Sequence, residues 1–264
     1  MKLGIGTVQF GCDYGISNKN GQTKLADIEK ILQFALEHNI DIIDTAQAYG
    51  TSESVLGNFD LSKFKVVTKV LENGSLYDSL EKLKLDKVYA LLLHHEGLIN
   101  DNSWKVLQKY KSENLVQKIG ISVYSPKVLN NIIDNYNIDI VQIPFNILDQ
   151  RFIDILPKLK EKNIEVHSRS TFLQGLLLMD TKDINPYFNE IVGLLKRLPT
   201  DKLHTAIQFV KNNKYIDKMI VGTTNVKEFQ EIYDNYLKND VHINYSEFRL
   251  DDEKYVNPSN WRLI

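Results

Sequence analysis

Residues 86–124 read DKVYALLLHHEGLINDNSWKVLQKYKSENLVQKIGISVY. The run Val88–His94 is apolar almost throughout and does not alternate with polar residues; Ile119–Val123 behaves the same way. A short unbroken apolar run suits a strand covered on both faces, as in a parallel sheet. Between the two runs, Asn102–Ser112 spaces its apolar residues as an amphipathic helix does. The stretch therefore reads strand–helix–strand, and two parallel strands need a crossover of this kind.

The same unit recurs along the chain. Further apolar runs occur at Leu3–Val8, Ile40–Thr45, Lys65–Val70, Ile138–Phe145, Glu165–Ser170 and Lys218–Thr223, eight in all. Helical spacing marks Lys24–His38, Ser75–Lys84, Pro126–Asn135, Asp149–Lys162 and Val226–Leu237, with Asp149 and Thr200 in N-cap positions. Strand starts mostly recur at intervals of roughly 22–37 residues. The last interval is about twice as long and holds two helical segments, Tyr187–Leu198 and Asp201–Asn212. Eight βα units in one composition regime predict an α/β fold, a single-domain (β/α)8 TIM barrel over residues 1–264. A doubly wound open sheet fits eight evenly spaced units less well. The tail, 240–264, is polar with scattered aromatics and is expected to pack over one mouth of the barrel.

Composition narrows the function. The chain has 264 residues, 43% apolar and 25% charged, with 32 basic and 34 acidic side chains. Such a balance supplies no basic face for nucleic acid and no basic stripe for a membrane surface. No stretch approaches the length of a transmembrane helix, and the N-terminus shows no signal-peptide h-region. Cys12 is the only cysteine and can form no internal disulfide, which fits a cytoplasmic protein. No pair of histidines has ligand-like spacing with a carboxylate, so no metal site is expected. Nothing in the sequence selects an oligomeric state.

A barrel of this class carries its active site at the C-terminal ends of its strands. Those ends are polar here: Asp44-Thr45, Thr68-Lys69, His94-His95, Ser122, Gln142, Arg169-Ser170 and Gly222-Thr223-Thr224. Asp44, Lys69 and His94 end three successive strands, and Tyr49 lies five residues past Asp44. A lysine beside a tyrosine favours phenolate and lowers the phenol pKa, and a carboxylate beside the lysine keeps it charged. Such a set suits protonation of a carbonyl oxygen while hydride reaches the carbon.

These residues also form a familiar pattern. IDIIDTAQAYGTSESVLG (40–57) resembles the Asp-Thr-Ala-x-x-Tyr-Gly-x-Ser-Glu-x-x-Leu-Gly signature of the aldo/keto reductases. VVTKV (66–70), LLLHH (91–95), KIGISVY (118–124) and VGTTNVKEF (221–229) resemble that family's lysine strand, Leu-Leu-His segment, Ile-Gly-Val-Ser segment and cofactor phosphate-binding segment. The resemblance implies a (β/α)8 barrel and an NAD(P)H-dependent reductase acting on a small-molecule carbonyl compound. Tyr49 would be the general acid, tuned by Asp44 and Lys69, with His94 orienting the carbonyl. Ser122, Gln142, Arg169, Ser170, Gly222, Thr223, Thr224 and Lys227 would contact the cofactor. Val123 stands where many members have Asn, and Arg169 where many have a Tyr stacked on the nicotinamide. The usual Lys near Gly222 is absent, and the usual Arg is replaced by Glu228. NADPH is therefore expected with a reduced preference over NADH. The loops Gln9–Ser17 and His95–Asp101 and the tail near Asn257–Trp261 are expected to set specificity, and their mixed polarity suits a sugar or sugar derivative. The alternatives are a nucleotide-binding regulatory or partner-binding barrel with little turnover, and a barrel lyase or hydrolase without nicotinamide.

Overall fold

The computed structural model describes residues 1–199, 201–239 and 243–261. Eight parallel strands close a barrel in sequence order: β1 Leu3–Gly6, β2 Ile42–Asp44, β3 Lys65–Val70, β4 Val88–Leu93, β5 Val116–Ser122, β6 Ile140–Pro144, β7 Glu165–Arg169 and β8 Lys218–Gly222. β1 closes the ring on β8, with Gly6 opposite Gly222.

The unbroken apolar runs follow from burial on both faces. Ala90 and Leu92 of β4 point inward to Ile42, Val67, Ile140 and Ile220, while Leu91 and Leu93 join the layer beneath the helices. A Cβ on Gly4 would come within 2.7 Å of the Ile220 side chain, so a glycine there lets Ile220 and Ile42 fill the barrel interior. Gly120 serves register instead. A Cβ there would lie 1.7 Å from the Ile140 carbonyl oxygen, across the β5–β6 pair.

β5 begins three residues earlier than the apolar run Ile119–Val123, because Lys118 is an inward polar residue with a partner. It pairs with Glu165 at the N-terminal end of the barrel, where Tyr89 also donates to Glu165 at 2.6 Å. The helices Leu76–Leu83, Asp101–Ser112, Pro126–Asn135 and Val226–Leu237 start on Ser75, Asn100, Ser125 and Asn225, each capping with its side chain. Between β7 and β8 the chain forms the helices Asn189–Lys196 and Lys202–Lys211. Asp201 caps the second of them, and Thr200 lies outside the described residues. Asp149 is not an N-cap: its carboxylate accepts from Arg151 Nε at 2.8 Å, and the α-helix begins only at Leu156.

Of the expected tail, 243–261 is described. It packs beside the loop after β6, where Leu250 N donates to Leu148 O at 2.9 Å, and Trp261 meets Phe188 edge-on. No helix among the described residues is long and apolar enough to cross a membrane.

Candidate active site

Asp44 ends β2, Lys69 lies one residue before the end of β3, and His94 follows β4 directly. Tyr49 reaches them from a turn after β2. Its N–H donates to Ala46 O and its carbonyl accepts from Ser52 N, both at 3.0 Å. Two glycines make this turn possible. Gly50 has φ +57°, and a Cβ there would sit 2.4 Å from Gly11 O; a Cβ on Gly11 would sit 1.8 Å from Tyr49 O. The loops after β1 and β2 thus touch backbone to backbone and fix the phenol. Beneath them, the buried hydroxyls of Thr7, Thr45 and Ser52 lie within 3.1 Å of one another in a chain, and Thr68 donates to Glu53 at 2.6 Å. The Ser and Glu of the 40–57 motif therefore build the platform rather than the site.

On that platform Lys69, 1% exposed, donates to Asp44 Oδ1 at 2.6 Å, to Thr45 O at 2.9 Å and lies 3.2 Å from the Tyr49 hydroxyl. Gln142 donates to the other Asp44 oxygen at 2.7 Å. Burial works against the Lys69 charge, but Asp44 and Tyr49 outweigh it and hold its pKa above the usual lysine value. For Tyr49 the balance differs from the sequence expectation. Burial raises the phenol pKa more than Lys69 lowers it, so the net direction is up. Tyr49 is thus held as a neutral phenol beside the Lys69 cation. His94 meets the Tyr49 ring edge-on at 5.8 Å. Burial first, then Lys69 and Arg169, lower its pKa to about 3, so the imidazole is neutral at pH 7. His95, one residue on, is exposed and does not line the cavity.

A cavity of about 820 Å³ opens over these groups and runs to the end of β8. Asp44, Tyr49, Lys69, His94, Ser122, Gln142, Arg169, Ser170, Gly222, Thr223 and Thr224 line it. Lys227 does not; it is exposed on the helix Val226–Leu237. Gln9, Tyr14 and Ser17 from the loop after β1 form part of the wall, whereas no residue of His95–Asp101 or of 243–261 does. Arg169 stacks on Tyr124, 4.1 Å from the ring centre, and donates to Ser122 Oγ and Val123 O at 3.3–3.4 Å. Tyr124 carried no sequence signal, since its role depends on Arg169 from another strand. Cys12 lines the cavity, but burial and Asp13 raise its pKa, which disfavours a nucleophilic thiolate.

The cavity's volume and polar lining are those of a site for a dinucleotide-sized ligand. Gln142 Oε1 is buried without a partner among the described residues, as are Gln9 Oε1 and His94 Nδ1. Unpaired buried acceptors are costly, and a carboxamide N–H₂ is the complement of the Gln142 oxygen. Among the described residues no cluster of three or more His, Cys, Asp or Glu could hold a metal ion.

Comparison with known proteins identifies the family. The aldo/keto reductase family matches residues 2–253. The chain is 27% identical to the uncharacterized oxidoreductase YqkF of Bacillus subtilis, covering 87% of this chain and 86% of that one. It is 25% identical to L-galactose dehydrogenase of Arabidopsis thaliana, covering 87% and 83%. Among solved structures, the holo form of aldo-keto reductase AKR11C1 from Bacillus halodurans superposes with a TM-score of 0.75 at 20% identity, covering 94% of this chain and 89% of that one. The glycerol dehydrogenase AKR11B4 from Gluconobacter oxydans superposes with a TM-score of 0.69 at 19% identity, covering 93% and 88%. The chain belongs to the aldo/keto reductase family, and it is an NAD(P)-dependent oxidoreductase built on a (β/α)8 barrel.

Proposed function

We propose that the protein reduces a small hydroxylated aldehyde or ketone to its alcohol, with Tyr49 as the proton donor. The observation that carries this reading is the Asp44–Lys69–Tyr49 chain, with contacts of 2.6 and 3.2 Å, at the floor of the cavity. The reduced nicotinamide, when bound, supplies the hydride. Ser122 and Gln142 would hold its carboxamide, Arg169 and Ser170 would flank it, and Gly222, Thr223 and Thr224 would face the far end of the dinucleotide.

Tyr49 binds the carbonyl oxygen and gives up its proton as negative charge develops there. Lys69 stabilises the resulting phenolate, Asp44 keeps Lys69 charged, and Gln142 holds Asp44 in place. His94, neutral, can offer one N–H to the same carbonyl oxygen and fix its angle. The wall near Tyr49 mixes aromatic faces with amide and hydroxyl groups, including Tyr14, Asn18, Tyr124 and Gln174. Hydroxyl groups on a substrate can pair with these, and a large apolar ketone would leave them unpaired. L-galactose dehydrogenase and glycerol dehydrogenase, by their names, act on hydroxylated compounds.

The test is NADH and NADPH oxidation against a panel running from glyceraldehyde and sugar aldehydes to apolar aromatic ketones. Turnover confined to the hydroxylated members supports the reading. Cofactor binding without turnover on any member points instead to a regulatory barrel.

A further inference from the structure

The far end of the cavity is built differently from its reacting end. β8 finishes at Gly222, and Thr223–Asn225 turn into the helix Val226–Leu237, whose N-cap is Asn225. A helix start of this kind offers donors to an anion. Here those donors already have one. Thr224 N donates to Glu228 Oε2 at 2.7 Å; Thr224 Oγ1 and Asn225 Nδ2 each donate to Glu228 Oε1 at 2.9 Å. The carboxylate of the helix's own third residue thus sits where an incoming phosphate would bind. Both Glu228 and Glu231 line the cavity. Of the cations nearby, Lys227 is off the wall. Lys19, on the loop after β1, does line the cavity, one residue from Asn20, which donates to Thr224 Oγ1 at 2.9 Å, but it is exposed to solvent and pairs with neither Glu228 nor Glu231 among the described residues.

One cavity runs from Tyr49 to Thr224 and Glu228, so a dinucleotide whose nicotinamide lay at Tyr49 would extend its adenosine towards this end. A carboxylate has about four lone-pair sites, and three of those on Glu228 are taken. The one left accepts from a hydroxyl. A 2′-phosphate would instead meet like charge and find the donors of Thr224 and Asn225 occupied. In Rossmann-fold sites an acidic residue accepts from the ribose 2′-hydroxyl of the unphosphorylated cofactor, and a carboxylate on this barrel can act in the same way.

We propose that Glu228 makes this protein select NADH over NADPH, accepting a hydroxyl of the adenosine ribose and excluding the 2′-phosphate. The proposal rests on the dinucleotide reading above. It moves the preference away from the NADPH expected from the sequence, where the loss of two cations was visible but the capture of the turn by Glu228 was not.

Calorimetric titration of the full-length protein tests it without turnover. NADH should bind at least about ten-fold tighter than NADPH, the scale of one like-charge contact at a partly screened site. ADP should likewise outbind adenosine 2′,5′-bisphosphate, a pair that probes this end without the nicotinamide. Glu228→Gln removes the charge, keeps the shape and should narrow both ratios several-fold; Glu228→Arg should invert them. Tighter or equal binding of NADPH by the unaltered protein overturns the proposal, as does an unchanged ratio in Glu228→Gln. Failure of both dinucleotides to bind overturns the reductase reading with it, whereas binding of NADPH alone overturns only the preference.

Discussion

Lys69→Met removes the cation at the centre of the site and keeps much of its apolar stem. Asp44, 2% exposed, is then left with the single donated hydrogen bond from Gln142. Breaking a buried ion pair by deleting one partner costs about 3–5 kcal/mol. A second route to the same figure is protonation. An ordinary carboxyl, titrating near 3.9, takes up a proton at pH 7 for about 4 kcal/mol and at pH 5 for about 1.5 kcal/mol. The folded variant then holds a proton that the unfolded chain lacks, so its stability falls as pH rises from about 5 to 7. The destabilisation relative to the unaltered protein should therefore be about 4 kcal/mol at pH 7 and shrink by more than half at pH 5. At about 2–4 °C per kcal/mol, the thermal midpoint at pH 7 drops by about 8–16 °C. Equilibrium urea unfolding at both pH values measures this. A destabilisation under about 1 kcal/mol, or one of equal size at both pH values, would refute the claim that Lys69 is held as a buried cation by Asp44.

Tyr49→Phe should lower kcat by about 10²–10⁴-fold, with cofactor affinity nearly intact, because the phenol's proton is needed only in the transition state; steady-state kinetics with a fluorescence titration of cofactor separates the two, and a kcat within a few-fold removes Tyr49 from its role. His94 stays neutral because its pKa is lowered to about 3, against 6.5 ordinarily. The unfolded chain takes up this proton as pH falls below about 6.5 while the folded chain does not, so the contribution is full above 6.5 and is lost towards pH 3. His94→Gln should flatten the acid limb of a urea-unfolding series, and an NMR titration of His94 centred near 6.5 would contradict this. Gly120→Ala places a methyl 1.7 Å from Ile140 O and should open the β5–β6 pair, costing at least about 1–3 kcal/mol by urea unfolding; unchanged stability would show that the two strands can part there freely.

Which features are legible in the sequence follows from the range of the forces that set them. The eight strands and most helices are visible in the sequence because burial on one or both faces dictates residue type locally, through period and run length. Asp44, Tyr49, Lys69 and His94 are visible because each ends a strand or follows one at fixed spacing, and a parallel barrel brings all such ends to one mouth. Where local pattern and tertiary pairing diverge, the sequence reading stops short. β5 extends over Gln117 and Lys118 because Glu165 waits across the barrel for the lysine. No motif marks His204, yet it is buried and its Nε2 lies 2.9 Å from Asn239 O, a partner 35 residues away.

The chain order alone therefore determined a barrel with a titratable mouth and the identities of the groups at its floor. Closure of the barrel and the paths of its loops decided the rest. Closure made burial outweigh Lys69 at Tyr49, so that the phenol is protonated. It stacked Arg169 on Tyr124, and it left 95–101 and 243–261 out of the cavity wall. The turn after β8 folded Glu228 onto its own helix start. Each of these depends on distances between residues far apart in sequence, or on the exact course of a turn, and neither is carried by hydrophobic period or motif spacing.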